Sequence, residues 1–299
     1  MSSALPRITI VIPSYNSGPV IERCLASIAA QGYEYLELIL ADGESTDESI
    51  EICRRWRDRF SVFISEPDSG IAEALNRGFA QATGDIFGWL AADDELAPGA
   101  LDRVARIFAD NSGVDVVTGG CRRYFPDGSR VETVPPDDLT ERIRFKNVIE
   151  QPSTFWRADL HRRTGVLDTR LKLAFDWDFW CRFAKAGATF HVDPYVLSHY
   201  HFSDDNLTSR GGEKTMKEMF RVVARYGPYH GLTAYLYRFL FHAFDLHGCY
   251  DRPPSGSRWR QAIFYGLLPV LYAIFGTKIV NGYNWNFASR QMRNKKWYA

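Results

Sequence analysis

Four aspartates set the first question. Asp42 lies in Ala41-Asp42-Gly43-Glu44-Ser45-Thr46-Asp47, Asp68 in Glu66-Pro67-Asp68-Ser69-Gly70, and Asp93 and Asp94 close Trp89-Leu90-Ala91-Ala92-Asp93-Asp94. Each group follows a short apolar run. A single acid at such a place is ordinarily a solvated turn residue or a helix cap, and Asp47 reads that way. Three groups in succession, at equivalent places, point elsewhere. Gathered carboxylates repel one another unless a cation or hydrogen-bond donors compensate. A divalent ion bridging to phosphate is the usual solution, because magnesium is held by one or two carboxylates plus substrate phosphate oxygens. The glycines offer no other cradle: the chain has no G-x-x-x-x-G-K-[ST], and no G-x-G-x-x-G after its first apolar run. A bound nucleotide is therefore expected to be held by acids and a metal.

The elements that must position these acids alternate. The β-branched run 8–12 reads as a strand buried on both faces. A helix is expected over 20–30, a strand over 36–40, and a helix running through Trp56 that a Ser45/Glu48 capping box begins. Strand 61–64, helix 71–81, strand 86–90 and helix 100–109 continue the rhythm. Such β-α-β units imply an α/β fold with a mainly parallel sheet, whose ligands bind at the carboxyl ends of the strands. Beyond a strand over 114–117 the pattern changes. Segments 121–125 and 129–134 flank Pro126-Asp127-Gly128 and read as an antiparallel hairpin. Strands over 153–156, 189–192 and 195–200 and a helix over 178–186 complete a mixed half.

Composition bounds the rest. At 299 residues the chain has room for one large domain or two small ones. With 45% hydrophobic and 24% charged residues, wholesale disorder, collagen and coiled coil are excluded. Thirty-six basic and 36 acidic side chains cancel, which argues against nucleic-acid binding by bulk charge. The cancellation hides an asymmetry: residues 1–206 carry net −10 and residues 207–299 net +10, with 19 of the 43 aromatics in the latter. Cys24, Cys53, Cys121, Cys181 and Cys249 are odd in number and lack C-x-x-C spacing, as expected of buried thiols in a reducing compartment. MSSALPRITIVIP has no basic region followed by a long apolar stretch, so no secretory signal is expected and a cytoplasmic location is.

Five motifs then occur in order: Ile10-Val11-Ile12-Pro13-Ser14-Tyr15-Asn16; Asp42-Gly43-Glu44-Ser45-Thr46-Asp47; Asp68-Ser69-Gly70-Ile71-Ala72-Glu73-Ala74-Leu75-Asn76-Arg77-Gly78; Gly84-Asp85-Ile86; and Ala92-Asp93-Asp94. Together they resemble the family 2 glycosyltransferases, which have the GT-A fold. The resemblance covers roughly residues 6–210. It implies a GT-A domain over 1–210, with a nucleotide-sugar half (1–112) and an acceptor half (113–210); beyond it the residue pattern itself reads as a helical region over 211–299. It implies that Pro13, Tyr15 and Asn16 line the base and ribose, that Asp42 accepts from the nucleobase amide, and that Asp68 and Asn76 stand near it. Asp93 contacts the ribose on this reading, and Asp94 ligates manganese or magnesium. Ala91-Ala92 stands where such proteins often have Asn or Ser, which leaves the acids intact.

Inverting sugar transfer also needs a general base on the face opposite the leaving diphosphate. The family places it at the start of a helix, here Phe175-Asp176-Trp177-Asp178-Phe179-Trp180. Asp176 matches the base, although relatives often have Glu-Asp where this chain has Phe175-Asp176. Asp178 is expected to support it, and the competing reading has both acids cap the helix. Trp177 is expected on the acceptor side, as a sugar platform or as core, and Trp180 in the core. Gln151, in Glu150-Gln151-Pro152-Ser153-Thr154-Phe155, resembles an acceptor-side residue. In Ser198-His199-Tyr200-His201-Phe202-Ser203 a histidine would meet metal or phosphate, with His201 preferred over His199. Arg210 would reach the phosphates.

The basic, aromatic tail has three readings: a helix lying in the membrane interface, a helix packed on the catalytic domain or on a second subunit, and a membrane span. Residues 262–280 approach the ~20 apolar residues a span needs, but contain Pro269 and Lys278. The positive charge favours the interfacial helix, since anionic lipid attracts clustered Lys and Arg. The expected activity is metal-dependent, inverting transfer from a nucleotide-diphosphate sugar, UDP-linked by preference, to a glycan or polyprenyl-linked acceptor, as in polysaccharide or O-antigen assembly. The expected location is the cytoplasmic face of the membrane, with no nucleic-acid partner and a homo-oligomer left open. A non-catalytic nucleotide-sugar binding subunit and a nucleotidyltransferase are the alternatives.

Overall fold

The computed structural model describes residues 4–203, 206, 212–243 and 258–276. It divides into two compact units: residues 1–140 with 148–203, and residues 141–147 with 204–299.

The first unit holds β1 (Ile8–Ser14), α1 (Gly18–Ala29), β2 (Leu36–Asp42), α2 (Ser49–Arg55), β3 (Val62–Ser65), α3 (Ile71–Gln81), β4 (Ile86–Trp89), β5 (Glu95–Leu96), α4 (Ala100–Asp110), β6 (Val116–Tyr124), β7 (Arg130–Thr133), β8 (Thr154–Arg157), α5 (Ala158–Thr164), α6 (Phe175–Lys185) and β9 (Phe190–His201). Among the described residues the strands form one sheet in the order β3-β2-β1-β4-β8-β6-β9-β5, with β7 paired to β6. β1, β2, β3 and β4 pair in parallel. β8 then enters antiparallel between β4 and β6, so the sheet is mixed from that point.

β1 is apolar throughout because both of its faces are covered. Ile8, Ile10 and Ile12 join Leu38 and Leu40 of β2 against Ile21, Leu25 and Ile28 of α1. On the other face α3 lies so close that a Cβ at Gly78 would stand 2.4 Å from Val11 Cγ1. Burial of each large side chain here contributes about 1.5–3 kcal/mol. A second, aromatic core joins β4, β8 and α6. Trp89 stacks on Trp180 at 5.3 Å, and Trp156 meets Phe179 edge-on at 5.6 Å. That packing fixes the helix that carries Asp176.

Several sequence expectations shift. The Ser45/Glu48 capping box does not form. α2 begins at Ser49, Glu48 makes no side-chain cap bond, and the Ser45 hydroxyl donates instead to Asp42 Oδ1 at 2.5 Å. Asp47 does the local work, accepting the amides of Gly18 and Ser49 at 3.0 Å each. The strands expected at 114–117 and 121–125 are one strand, β6, with a register irregularity at Gly119 and Gly120 where the parallel neighbour β9 packs closely. Here glycine marks a bulge and not a break. β9 likewise runs through Asp193-Pro194, because Asp193 is held by Arg103 of α4. α6 starts three residues before the expected 178, which puts Asp176 in its first turn. Cys24, Cys53, Cys121 and Cys181 are buried free thiols, and burial raises the pKa of Cys24, Cys53 and Cys121; Cys249 lies outside the described residues.

The second unit contains α7 (Gly212–Tyr226), α8 (Leu232–Ala243) and α9 (Arg258–Phe275). Arg144 Nε donates to the Tyr226 carbonyl at 3.0 Å, stitching segment 141–147 to the end of α7. Tyr235 and Phe239 of α8 are exposed, as are Trp259, Ile263, Val270, Tyr272 and Ile274 of α9. Among the described residues no helix is long and apolar enough to cross a membrane.

Candidate active site

The carboxyl ends of three parallel strands finish level. Ser14 of β1 pairs with Asp42 of β2, and Asp42 pairs with Ser65 of β3. Their loops converge on Gly43: a Cβ there would stand 2.6 Å from Asp68 Oδ2 and 3.4 Å from the Tyr15 ring. Asp42, Asp68 and Tyr15 are thus brought together as the sequence predicts. Asp42 is 2% exposed, and its oxygens already accept from Ser45 N (2.9 Å), Ser45 Oγ (2.5 Å) and Ser65 Oγ (3.0 Å). Roughly one of a carboxylate's four acceptor positions is left. Asn16 takes a left-handed φ of 48°, which asparagine tolerates. It ties two loops, its N–H donating to Ser45 Oγ at 2.8 Å and its Oδ1 accepting Thr46 N at 2.9 Å. Pro13 is buried, Tyr15 is exposed, and Asp68 Oδ1 accepts the Gly70 amide at 2.7 Å.

Asn76 has a positioning role. Its Nδ2 donates to the Leu167 carbonyl (3.0 Å) and its Oδ1 accepts the Leu167 amide (2.9 Å). The side chain expected near the nucleotide therefore holds the loop that leads into α6. Lys172, on the same loop, donates to the Ser69 carbonyl at 2.6 Å.

Asp93 and Asp94 occupy the turn between β4 and β5. Asp94 is 2% exposed, and its Oδ1 is buried without a hydrogen-bond partner among the described residues. Burial first, and then the neighbouring Asp93, push its carboxyl well above the usual carboxylate range, with Arg23 opposing. Arg23, on α1, forms an ion pair through Nε with Glu95 Oε1 (2.9 Å) and donates from Nη2 to the Asp93 carbonyl (3.0 Å). His201 Nε2–H donates to the same Glu95 oxygen at 2.5 Å, and its ring stacks on Tyr124 at 4.8 Å. Burial and then Arg23 lower the His201 pKa against the pull of Glu95. The neutral ring then keeps its lone pair on Nδ1. His199 points to no comparable bond; its pKa is lowered, chiefly by burial.

On α6, Asp176 Oδ1 accepts the Trp177 amide at 2.7 Å, in the first turn. Asp178 is buried and pairs with Arg182 at 3.1 Å. Arg182 in turn donates to the carbonyls of Thr164 (2.9 Å) and Gly165 (3.2 Å). Asp178 is thus spent on fixing α6. Trp177 is 4% exposed and belongs to the core, which leaves no open ring face for a sugar. Gln151 Nε2 donates to the carbonyl of Trp89, the last residue of β4, at 2.9 Å. Arg210 lies outside the described residues.

The family model "Glycosyl transferase family 2" matches residues 9–161. The chain belongs to that family. A "PGL/p-HBAD biosynthesis glycosyltransferase" of Mycobacterium bovis is 33% identical over 205 residues, covering 67% of this chain and 78% of the relative. Among solved structures, S. aureus TarS 1–349 in complex with UDP-GlcNAc matches with a TM-score of 0.62 at 17% identity, covering 98% of this chain and 88% of that one. The mannosyltransferase PcManGT from Pyrobaculum calidifontis, in complex with GDP-Man and Mn2+, matches at 0.56 and 21%, covering 92% and 84%. The fold is GT-A, and the chain is a glycosyltransferase.

The residues of this family 2 glycosyltransferase suit a divalent cation. Asp94 offers a buried oxygen with no hydrogen-bond partner among the described residues, and His201 has its Nε2–H anchored on a carboxylate, the arrangement that stands behind metal-ligating histidines. Among the described residues no cluster of three or more ligating side chains forms. One carboxylate completed by phosphate oxygens is how magnesium is commonly bound. Sequence reasoning missed Arg23 and Glu95. Arg23 sits on an ordinary amphipathic helix, and its contacts lie about 70 residues away.

Proposed function

We propose that the enzyme transfers a sugar, with inversion, from a nucleoside-diphosphate sugar to a hydroxyl of a glycan or lipid-linked glycan, with UDP as the favoured nucleotide. The observation that carries this reading is the buried Asp94 side chain, whose Oδ1 has no hydrogen-bond partner among the described residues, in the turn after β4 at the carboxyl edge of the parallel strands. Asp42, Asp68, Tyr15 and Asn16 take the nucleoside, and Asp93 takes the ribose. Asp94, with His201, holds manganese or magnesium, which supplies positive charge to the departing diphosphate. Asp176 accepts the proton of the acceptor hydroxyl. The hydroxyl oxygen bonds to the anomeric carbon as the bond to the diphosphate oxygen breaks, and the nucleoside diphosphate leaves with that electron pair. Gln151 orients the acceptor. Asp178 and Trp177 act from within α6 and its packing.

Residues 211–299 are read as a membrane-interfacial region on the cytoplasmic face. The exposed positions Trp259, Ile263, Val270 and Ile274 recur at helical spacing along α9, and the basic residues of the tail suit anionic lipid. Replacing these four by serine is expected to lower binding to vesicles of anionic phospholipid in a flotation assay; unchanged flotation contradicts this part.

The reaction is tested by nucleoside diphosphate release from UDP-N-acetylglucosamine, UDP-glucose and GDP-mannose, with manganese and with a chelator. Metal-dependent release from one donor is expected. Asp176→Asn should lower transfer about 10²–10⁴-fold with donor affinity retained. Full transfer by that variant removes Asp176 as the base.

A further inference from the structure

The Arg23 guanidinium, on α1, meets both the turn between β4 and β5 and the first residue of β5. Nη2 holds the carbonyl of Asp93, the residue before Asp94, at 3.0 Å, and Nε holds Glu95 Oε1, the residue after it, at 2.9 Å. Glu95 Oε1 also receives His201 Nε2–H at 2.5 Å. One planar fork on α1 therefore grips the Asp93-Asp94-Glu95 turn from both sides, and through Glu95 it reaches the end of β9. The β5–β9 pairing reinforces this, setting Glu95 opposite His199. Tyr124 closes the far side, stacked on His201 within 7° of parallel.

The fork suits arginine specifically. A guanidinium presents several donors in fixed directions, whereas an ammonium is a point charge that matches one acceptor at a time. Asp94 itself gains no bond from the fork; its Oδ1 stays unpartnered. What Arg23 fixes is the backbone on either side of Asp94 and the ring of His201.

We propose that Arg23 is a positioning residue which, with Glu95, locks the Asp94 turn and His201 into one metal- and diphosphate-binding arrangement. This rests on the donor-site reading above. It makes a prediction opposite in sign to simple electrostatics. Removing a positive charge beside carboxylates should, by charge alone, tighten Mn2+ binding. Removing a positioning device should loosen it.

The test is Mn2+ affinity measured by electron paramagnetic resonance of the free ion, with UDP present, on the full chain. Arg23→Ala is expected to weaken Mn2+ binding about tenfold or more, the scale of one lost charge-assisted hydrogen bond. Arg23→Lys keeps the charge but not the fork, and is expected to restore only part of the loss. Glu95→Ala is expected to match Arg23→Ala, and the double variant to be little worse than either, because both remove one shared device. Arg55→Ala, which breaks an exposed 3.1 Å pair with Glu22, is the control and should bind as wild type. Melting of the ligand-free variants reports folding; if Arg23→Ala melts early, Arg23→Lys decides. Wild-type or tighter Mn2+ binding by Arg23→Lys overturns the proposal. No Mn2+ binding by the wild type with UDP overturns the donor-site reading itself, a distinct outcome.

Discussion

At the amino end of the parallel strands, Glu37 is 3% exposed, and its two oxygens accept from Arg7 Nη2 (3.0 Å), Thr9 Oγ1 (2.5 Å), Thr83 N (2.7 Å) and Thr83 Oγ1 (2.7 Å). At the carboxyl end Asp94 is as deeply buried, and one of its oxygens has no partner among the described residues. Burial alone would raise the Glu37 pKa, but the bonds from Thr9, Thr83 and Arg7 outweigh it and hold the carboxyl below its usual range. For Asp94 burial and Asp93 prevail, and the pKa goes up. A buried charge that the fold completes for itself is structural. One left incomplete costs stability, and the cost is understandable where a ligand completes it. The two acids thus differ: Glu37 is closed by the fold's own donors, and Asp94 keeps one buried oxygen open among the described residues.

That contrast breaks most easily at Asp94. Asp94→Asn is expected to lower sugar turnover about 10²–10³-fold, the scale of losing one electrostatic stabiliser of a developing charge. Its melting temperature should hold or rise, because a buried unpaired carboxylate is removed. A large loss of stability would mean that Asp94 is structural after all.

Glu37→Gln is the mirror experiment. It is expected to cost about 1–3 kcal/mol of unfolding free energy, as donors are left to a weaker acceptor. Turnover per folded molecule should stay at the wild-type level. Lost turnover in a fully folded Glu37→Gln protein would blur the division between the two ends.

The smallest expected effect is a difference in the sign of pH dependence. The depressed Glu37 pKa contributes stability that is present above the unfolded value of about 4.3 and is lost as pH falls through the folded value. The raised Asp94 pKa acts oppositely: between the unfolded value of about 3.9 and its own, the folded protein binds the extra proton, so stability rises as pH falls. Urea unfolding from neutral toward acid pH should therefore bring each variant toward wild type from opposite sides, Glu37→Gln from below and Asp94→Asn from above. Approach from the same side contradicts the comparison.

Much of the carboxyl edge was legible in the sequence because parallel strands place equivalent positions at equivalent heights. Asp42, Asp68, Asp93 and Asp94 could be assigned to one edge from spacing alone. The first four strands were found within a residue or two for the same reason. What stayed hidden depends on contacts between distant segments. Nothing near Arg23 signals that its guanidinium meets residues 93 and 95, and nothing near Asn76 signals that its amide is consumed by Leu167. The Ser45/Glu48 pattern misled because Asp42, close in sequence and folded back, competes for the Ser45 hydroxyl more effectively than the helix end. Gly119-Gly120 and Pro194 read as breaks but mark a bulge in the parallel pairing of β6 and β9, set by tertiary approach.

The central claim is that Asp94 awaits a cation and a diphosphate. It is tested most directly by thermal unfolding with UDP alone, Mn2+ alone and both, on the wild type and Asp94→Asn. A ligand that binds only the folded state stabilises it in proportion to ln(1 + [L]/Kd). The account expects a rise for the wild type with UDP and Mn2+ together that exceeds the two separate rises combined. Asp94→Asn should keep the UDP rise and lose the excess. An excess that survives in Asp94→Asn, or is absent from the wild type, would contradict it.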